Sequence, residues 1–253
     1  MKKNTHSSLN KNHLQDKLYS QPREAISEFV FDDAVVNVFE DMIGRSVPGY
    51  ATLLAMFPVL AQYFVSSGSR CYDLGCSLGA STLAIQHGIN VSDVEIIALD
   101  NSSSMIKKCR TLMSEYKSQT QVNVKQADIC EHEISHASLV IMNFTLQFIP
   151  ESQRDNLIKK IFSGLDNGGA FVLSEKIKFN EDAQQNRLTS LHHAFKKTNG
   201  YSDLEISQKR SALDNVLIAE SVEQHIARLK RSGFSEVTVW FQCFNFVSFL
   251  AIK

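Results

Sequence analysis

The chain alternates between short apolar segments and helical stretches, and this alternation limits the folds open to it. Five segments have the composition of buried strands, at residues 71–75, 94–100, 122–128, 137–144 and 170–177. Short apolar strands joined by helices build a parallel sheet that is covered on both faces. Two further runs, EVTVWFQCFN and FVSFLAIK, are close enough in the chain to pair antiparallel. The sequence therefore predicts an α/β fold with a mostly parallel, seven-stranded sheet and an antiparallel edge strand.

Three segments lie outside this alternation. Residues 1–27 are polar and lack an apolar period, so we expect a mobile N-terminal arm. Two helices are predicted between residues 31 and 65, ahead of the first strand. Residues 178–220 are mainly helical and polar, and this insert before the last helix is the expected place for a substrate lid or an oligomer contact. Residues 28–253 are thus predicted to form a single α/β domain with a helical insert.

Composition narrows the classes of function. The formal net charge of −1 offers no broad electrostatic attraction to nucleic acid or to a membrane surface, so we expect neither partner to bind directly. No apolar run approaches the roughly 20 residues of a membrane helix, and the polar start lacks the apolar centre of a signal peptide. The five cysteines are widely spaced and fit a reducing compartment. These features predict a cytoplasmic protein.

The stretch YDLGCSLGA at residues 72–80 joins the first strand to a helix. Gly75 and Gly79 allow a tight turn and close approach of a ligand to the free N–H groups at the helix start. Asp100 closes the next strand, where an acid can accept both hydroxyls of a ribose. The pattern D-x-G-x-x-x-G resembles the turn of S-adenosylmethionine-dependent methyltransferases more than the G-x-G-x-x-G of nicotinamide enzymes, and Asp128 resembles the residue that holds the adenine in that superfamily. A purely structural turn or another nucleotide fold is the alternative.

Other polar residues admit two interpretations each. Asn143 ends the fourth strand, where it can orient a cofactor or simply occupy a turn. HEISH at residues 132–136 has the spacing of two zinc ligands on a helix, but too few residues surround it for a helix, so no metal site is predicted. Adjacent His192 and His193 are expected on a solvated helix. The segments RSVPGY and NGYSDLEISQKR suit recognition of a carboxylate or, from spacing alone, a charged surface.

Taken together, the motifs have a more specific resemblance. RSVPGY, YDLGCSLGA, ALDNS, MNFTLQF, LSEK, HHAFKKTNGYSDLEISQKR and WFQCFNF occur in this order. From about Phe31 to the C-terminus the chain resembles the carboxy-S-adenosyl-L-methionine synthase family, which has a Rossmann-like methyltransferase fold. Residues 18–31 match loosely. The resemblance implies conversion of S-adenosylmethionine and prephenate into carboxy-S-adenosylmethionine and phenylpyruvate. It also implies a homodimer and a functional link to a tRNA carboxymethyltransferase that modifies the wobble uridine.

The resemblance also assigns residues. It implies cofactor contacts at Tyr50, Gly75, Cys76, Ser77, Asp100, Asn101, Asp128, Ile129 and Asn143. Arg210 corresponds to the family arginine that holds the new carboxylate, and we predict that it selects the carboxylated cofactor over the methyl form. Arg45, Tyr201 and Lys209 are candidates for prephenate contacts by charge alone. An ordinary methyltransferase acting on a small molecule or RNA, and a non-catalytic scaffold that binds the cofactor, are the competing functions.

Overall fold

A seven-stranded sheet forms the centre of the structure, a computed structural model that describes residues 14–116 and 118–253. The strands are β1 (Arg70–Leu74), β2 (Glu95–Asp100), β3 (Gln121–Gln126), β4 (Ala137–Asn143), β5 (Leu165–Lys176), β6 (Glu236–Cys243) and β7 (Phe246–Ile252). Their order is β3-β2-β1-β4-β5-β7-β6, and β7 runs antiparallel to both neighbours. The predicted α/β fold is confirmed. The antiparallel strand β7 belongs to a hairpin whose other strand, β6, forms the outer edge.

Eight helices frame the sheet in the described part of the chain. They are α1 (Asp33–Ser46), α2 (Tyr50–Phe64), α3 (Ala80–Gly88), α4 (Ser103–Glu115), α5 (Glu151–Gly164), α6 (Asp182–Thr198), α7 (Asp203–Leu213) and α8 (Val222–Ser232). A capping box of Ser221 and Gln224 begins α8, and Gly233 ends it in the left-handed region, as the sequence predicts. Among the described residues, no single helix is long and apolar enough to cross a bilayer. Helices α1 and α2 pass that test only as a pair, with a bend of 96° between them.

Both faces of the sheet are covered, which explains the apolar strands. On one face, Phe57 of α2 and Ile85 of α3 pack against a group that includes Ile141 of β4. On the other, α5 and α8 pack against the alternate strand residues, such as Val140. Six of the seven residues of β4 are buried, because the strand is central and has a helical layer on each side. The carboxyl ends of the parallel strands are left to form a ligand site.

Strand β5 begins earlier than predicted. We expected it at residue 170, but it starts at Leu165, which pairs with Ala137 across an irregularity in the register of β4. The letters DNGG at residues 166–169 have turn composition, and Gly168 does adopt the left-handed region. Pairing with a neighbouring strand therefore overrides a local turn signal here.

The N-terminal segment differs from the expected mobile arm where the structure describes it. Residues 1–13 lie outside the described residues. Asp16 is only 2% exposed and accepts a hydrogen bond of 2.6 Å from the Tyr201 hydroxyl. Gln208 donates to the carbonyl of Tyr19 over 2.9 Å. Asp16 and Tyr19 thus anchor this segment to α1 and α7, while most residues between Ser20 and Glu28 are exposed. The buried polar groups have partners far away in the chain, which the local sequence pattern does not indicate.

Candidate active site

A cavity of about 650 Å³ opens at the carboxyl ends of the parallel strands. Its walls are the turn after β1, the ends of β2 and β4, and the loop after β3. Residues of helices α1, α2, α3, α4, α6 and α7 also line the cavity. Open α/β sheets bind ligands at this edge, where the strand order reverses between β1 and β4. The volume lies within the range of cavities that hold small-molecule substrates.

The glycine turn after β1 has the geometry that its sequence predicts. Gly75 and Gly79 have φ angles of +83° and +88°, in the left-handed region that side chains disfavour. A Cβ atom at Gly75 would collide with the side chain of Thr145, which follows β4. The backbone N–H groups of Gly75 and Cys76 donate to the carbonyl of Leu99 over 2.8 and 2.9 Å. The turn is therefore tied to β2 and leaves no room for a larger residue.

Asp100 connects this turn to the next helix. One of its carboxylate oxygens accepts from the Ser77 N–H and the other from the Ser102 N–H, each over 2.9 Å. Burial raises the pKa of this carboxyl, although these hydrogen bonds oppose the rise. A carboxylate has about four acceptor positions, so Asp100 can still accept from a ribose hydroxyl.

Two buried side chains near the turn have oxygens without a partner among the described residues. Asn143 donates to Ser81 Oγ over 3.3 Å, but its buried Oδ1 accepts nothing. Asp73 Oδ2 accepts from the Thr82 hydroxyl over 2.6 Å, while its Oδ1 is unpartnered. Burial raises the pKa of Asp73 to about 7. Leaving a buried acceptor unpaired costs roughly 1–3 kcal/mol. Because Asn143 lines the cavity, a ligand with a donor group would relieve that cost.

The structure gathers all but one of the predicted contacts in this cavity. The lining includes Tyr50, Gly75, Cys76, Ser77, Asp100, Asn101, Asp128, Ile129 and Asn143. Arg210 differs: it is exposed on α7 and is absent from the cavity wall. Its charge nevertheless reaches the site, because after burial it is the main cause that lowers the pKa of Lys176, a wall residue.

Aromatic residues that sequence reasoning missed cover the cavity. Phe29, Phe31, Phe39 and Phe148 all line it. The ring of Phe31 packs edge-to-face against Phe29 at 5.1 Å and against Phe148 at 5.3 Å between centroids. The backbone here is held by the Phe29 N–H, which donates to Ala212 over 2.9 Å. For Phe29 and Phe31, the sequence feature that could have indicated this role is the aromatic pair in EFVF, at the end of an otherwise polar segment.

Arg45 and Tyr201, two of the candidates for prephenate contacts, interact with residues outside the cavity. The Arg45 guanidinium lies 3.9 Å from the centre of the Tyr201 ring and donates to Asp41 over 2.6 Å. Tyr201 in turn donates to Asp16. Neither Arg45 nor Tyr201 lines the cavity. They join the N-terminal segment to α1 and to the start of α7, so their role in the described structure is to hold the cavity wall.

The lysines of the insert and of β5 form one end of the cavity instead. Lys176, Lys196 and Lys209 all line it, and only Lys209 was a sequence candidate. His192 lines it as well. The prediction of a solvated helix is wrong for His192, which is 5% exposed and bonded to the Ser46 carbonyl over 2.8 Å. Burial lowers its pKa to about 3, so the ring is neutral.

The fold is that of the S-adenosylmethionine-dependent methyltransferases. A family model described as a methyltransferase domain matches residues 72–169. Human N-acetylserotonin methyltransferase, solved in complex with SAM, is similar in fold, with a TM-score of 0.58 and 13% identity; the alignment covers 87% of this chain and 55% of that one.

Curated relatives narrow the class to one family. The carboxy-S-adenosyl-L-methionine synthase of Hahella chejuensis is 51% identical over 244 residues, which cover 94% of this chain and 98% of the relative. The synthase of Shewanella piezotolerans is 51% identical over 239 residues, with the same coverage. The chain belongs to the carboxy-S-adenosyl-L-methionine synthase family, which confirms the resemblance drawn from its motifs.

Proposed function

We propose that this protein is an enzyme that converts S-adenosylmethionine and prephenate into carboxy-S-adenosylmethionine and phenylpyruvate. Family membership supports the S-adenosylmethionine half of this reaction. One observation carries the second substrate: the cavity that gathers the nine expected cofactor contacts also has a cationic end lined by three lysines. S-adenosylmethionine has a single carboxylate and two cationic groups of its own, so three lysines exceed what it needs, whereas a dicarboxylate beside it would pair with them.

The proposed roles follow from position. Asp100 and Asn101 would hold the ribose, and Asp128 and Ile129 the adenine. The glycine turn would approach the methionine part, with Asn143 accepting from its ammonium group. The aromatic cover of Phe29 and Phe31 would exclude water from the reacting groups.

The reaction balances without a strong base from the protein. Prephenate loses its ring carboxylate as carbon dioxide and its ring hydroxyl as hydroxide, and the ring becomes aromatic. The hydroxide takes a proton from the methyl group of the sulfonium and leaves as water. The resulting carbanion forms a C–C bond to carbon dioxide, which becomes the new carboxylate. In this scheme the protein orients both substrates and keeps carbon dioxide in place.

Arg210 is proposed to bind the new carboxylate, from its own or a neighbouring subunit. Its exposure on α7 is compatible with either route. We predict that Arg210→Ala weakens binding of carboxy-S-adenosylmethionine by about tenfold or more, because a charged hydrogen bond contributes roughly 1.5–3 kcal/mol. Affinity for S-adenosylmethionine should change little. Calorimetric titration of both ligands measures this preference, with Arg187→Ala, another exposed arginine of the insert, as the control. An unchanged preference in Arg210→Ala would contradict the role.

The activity itself is tested with purified protein and mass spectrometry of the small molecules. Protein and S-adenosylmethionine are incubated with and without prephenate. A carboxylated sulfonium that forms only with prephenate, together with phenylpyruvate, is the expected result. S-adenosylhomocysteine and a methylated acceptor would instead indicate an ordinary methyltransferase. No turnover under any condition would leave a cofactor-binding scaffold.

The cellular setting is part of the same proposal. We propose a cytoplasmic homodimer whose product supplies a tRNA carboxymethyltransferase, with no direct contact to nucleic acid. The net charge of −1 supports the last point. Light scattering tests the dimer, and loss of carboxymethylated wobble uridine in a deletion strain tests the link to tRNA.

A further inference from the structure

Three lysines from separate elements converge on one end of the cavity. Lys176 ends β5, Lys196 lies on α6 and Lys209 lies on α7. Lys209 is 7% exposed, and the other two are half-buried in the cavity wall. Placing ammonium groups away from water is unfavourable unless an anion pairs with them. Three lysine ammonium groups on one wall of the cavity therefore indicate that an anion binds there.

The protein itself compensates this charge only in part. Lys209 Nζ lies 3.8 Å from an Asp16 carboxylate oxygen and donates to Ser46 Oγ over 3.2 Å. The ammonium groups of Lys176 and Lys196 have no hydrogen bond or ion pair among the residues that the structure describes. Nearby His192 is neutral and its bond goes to a carbonyl, so it supplies no negative charge.

The charge at this end also disfavours the first substrate. S-adenosylmethionine has a net charge of +1, with a sulfonium, an ammonium and one carboxylate, and lysine ammonium groups close to the sulfonium would repel it. The cavity is large enough for a further small molecule. A ligand that binds between the lysines and the sulfonium has to be anionic, and a dianion would compensate most of the charge on both sides.

We propose that Lys176, Lys196 and Lys209 form a subsite that binds the carboxylates of a small organic dianion next to the sulfonium. Naming prephenate as that dianion rests on the proposed function. The subsite gives these lysines a role in substrate binding that is separate from the role of Arg210, which would hold the carboxylate of the product. It also predicts that the dianion and S-adenosylmethionine bind cooperatively, since the dianion offsets the repulsion between the lysines and the sulfonium, and the sulfonium in turn attracts the dianion.

Proton uptake is a consequence that a structural lysine would not show. Burial, followed by the neighbouring lysines, lowers the pKa of Lys196 to about 7, and burial lowers that of Lys209 to about 8. A bound dianion favours the charged forms, so binding at pH 8 should take up protons. The other titratable and charged groups that act on these lysines are His192 and His193 of α6, Arg210 and Asp214 at the end of α7, Arg45 and Asp41 of α1, and Asp16.

The test separates binding from turnover. Prephenate is titrated calorimetrically into protein saturated with S-adenosylhomocysteine, which lacks the reacting methyl group. Lys176→Gln and Lys196→Gln should each bind prephenate about 10 to 100 times more weakly than wild type. Lys196→Arg should retain most of the affinity. The matched control is Lys197→Gln, since Lys197 is an exposed neighbour on α6 that pairs with Asp203 outside the cavity.

Three further readings complete the test. Titration in buffers of different ionisation enthalpy at pH 8 should show proton uptake by wild type and less by Lys196→Gln. Affinity for S-adenosylhomocysteine should be the same in all variants, which shows that they fold. Inorganic phosphate, as the competing anion, should bind more weakly than prephenate.

The outcomes separate failure of the lysine subsite from failure of the proposed reaction. Unchanged prephenate affinity in both glutamine variants, while wild type makes carboxy-S-adenosylmethionine, would overturn the subsite and leave the function standing. Lysine-dependent binding of prephenate without any carboxylated product would support the subsite and overturn the function. Lysine-dependent binding of phosphate alone would overturn the assignment to a dicarboxylate.

Discussion

At the scale of single residues, the site depends on glycine at position 75. Gly75 combines a φ angle of +83° with a Cβ position that the side chain of Thr145 blocks. A left-handed conformation alone costs an alanine roughly 1–2 kcal/mol. The collision adds to this cost, since Thr145 belongs to the loop that closes the cavity after β4.

We predict that Gly75→Ala loses about 3 kcal/mol or more of unfolding free energy and binds S-adenosylmethionine at least tenfold more weakly. Gly68→Ala is the matched control, because Gly68 has a φ angle of +75° but open space around its Cβ position. It should lose only the conformational part and bind normally. Urea unfolding and calorimetry measure both quantities, and equal losses in the two variants would show that the contact with Thr145 is unimportant.

At the scale of elements, α7 holds the N-terminal segment that covers the cavity. Gln208 is 4% exposed and makes three hydrogen bonds to this segment, all 2.9 Å long. It donates to the carbonyls of Tyr19 and Gln21 and accepts from the Arg23 N–H. The aromatic cover at Phe29 and Phe31 follows a few residues later, so its position depends on this anchor.

We predict that Gln208→Ala frees the segment without unfolding the domain. Hydrogen exchange at the Arg23 amide should become about 10 to 100 times faster, since a net contribution of about 1–3 kcal/mol is lost. S-adenosylmethionine should bind more weakly because the cover is less ordered. Ser207→Ala, at the exposed position next to Gln208, should change neither quantity. Normal protection at Arg23 in Gln208→Ala would mean that other contacts hold the segment.

At the scale of the whole molecule, one buried ion cluster joins distant parts of the chain. Glu220, just before α8, is 3% exposed. It accepts from Arg154 of α5 over 2.7 Å and from Arg228 of α8 over 2.6 and 2.7 Å. Burial by itself would raise the pKa of Glu220, but the hydrogen bonds from the two arginines outweigh it and lower the pKa to about 2.

This shift predicts how stability depends on pH. A carboxyl with a folded pKa of about 2 and an unfolded pKa of 4.5 stabilises the fold fully well above pH 4.5, and this contribution is lost as pH falls toward 2. Between pH 5 and pH 3.5 the wild type should therefore lose about 1 kcal/mol more than Glu220→Gln, which lacks the titrating group.

Urea unfolding at several pH values checks this difference. Glu220→Gln should itself be less stable at pH 7 by roughly 3–5 kcal/mol, because it leaves buried arginines without their anion. His225 adds a separate acid sensitivity in both proteins: burial lowers its pKa to about 4, so stability also falls as pH drops below 6.5. Parallel pH profiles for the two proteins would exclude the assigned role of Glu220.

Local sequence determined the sheet and most of the cavity wall. Strands such as VEIIALD and turns such as that at Gly75 are specified by neighbouring residues, and parallel strands place their carboxyl ends at one edge. The contacts expected at Asp100, Asp128 and Asn143 therefore meet in one cavity. Because these residues follow consecutive elements of a repeating pattern, their proximity needed no knowledge of long-range packing.

Tertiary structure alone decided what covers that edge. Docking of the N-terminal segment, α6 and α7 buries Asp16 and His192 and leaves Arg210 exposed. These three segments are polar and lack the hydrophobic periodicity that would predict a buried face. Their buried groups are matched by partners far away in the chain, such as Tyr201 for Asp16 at a separation of 185 residues. The convergence of Lys176, Lys196 and Lys209 has the same origin: each lies on a different element, and their charges come together only because α6 and α7 are positioned at the cavity by tertiary packing.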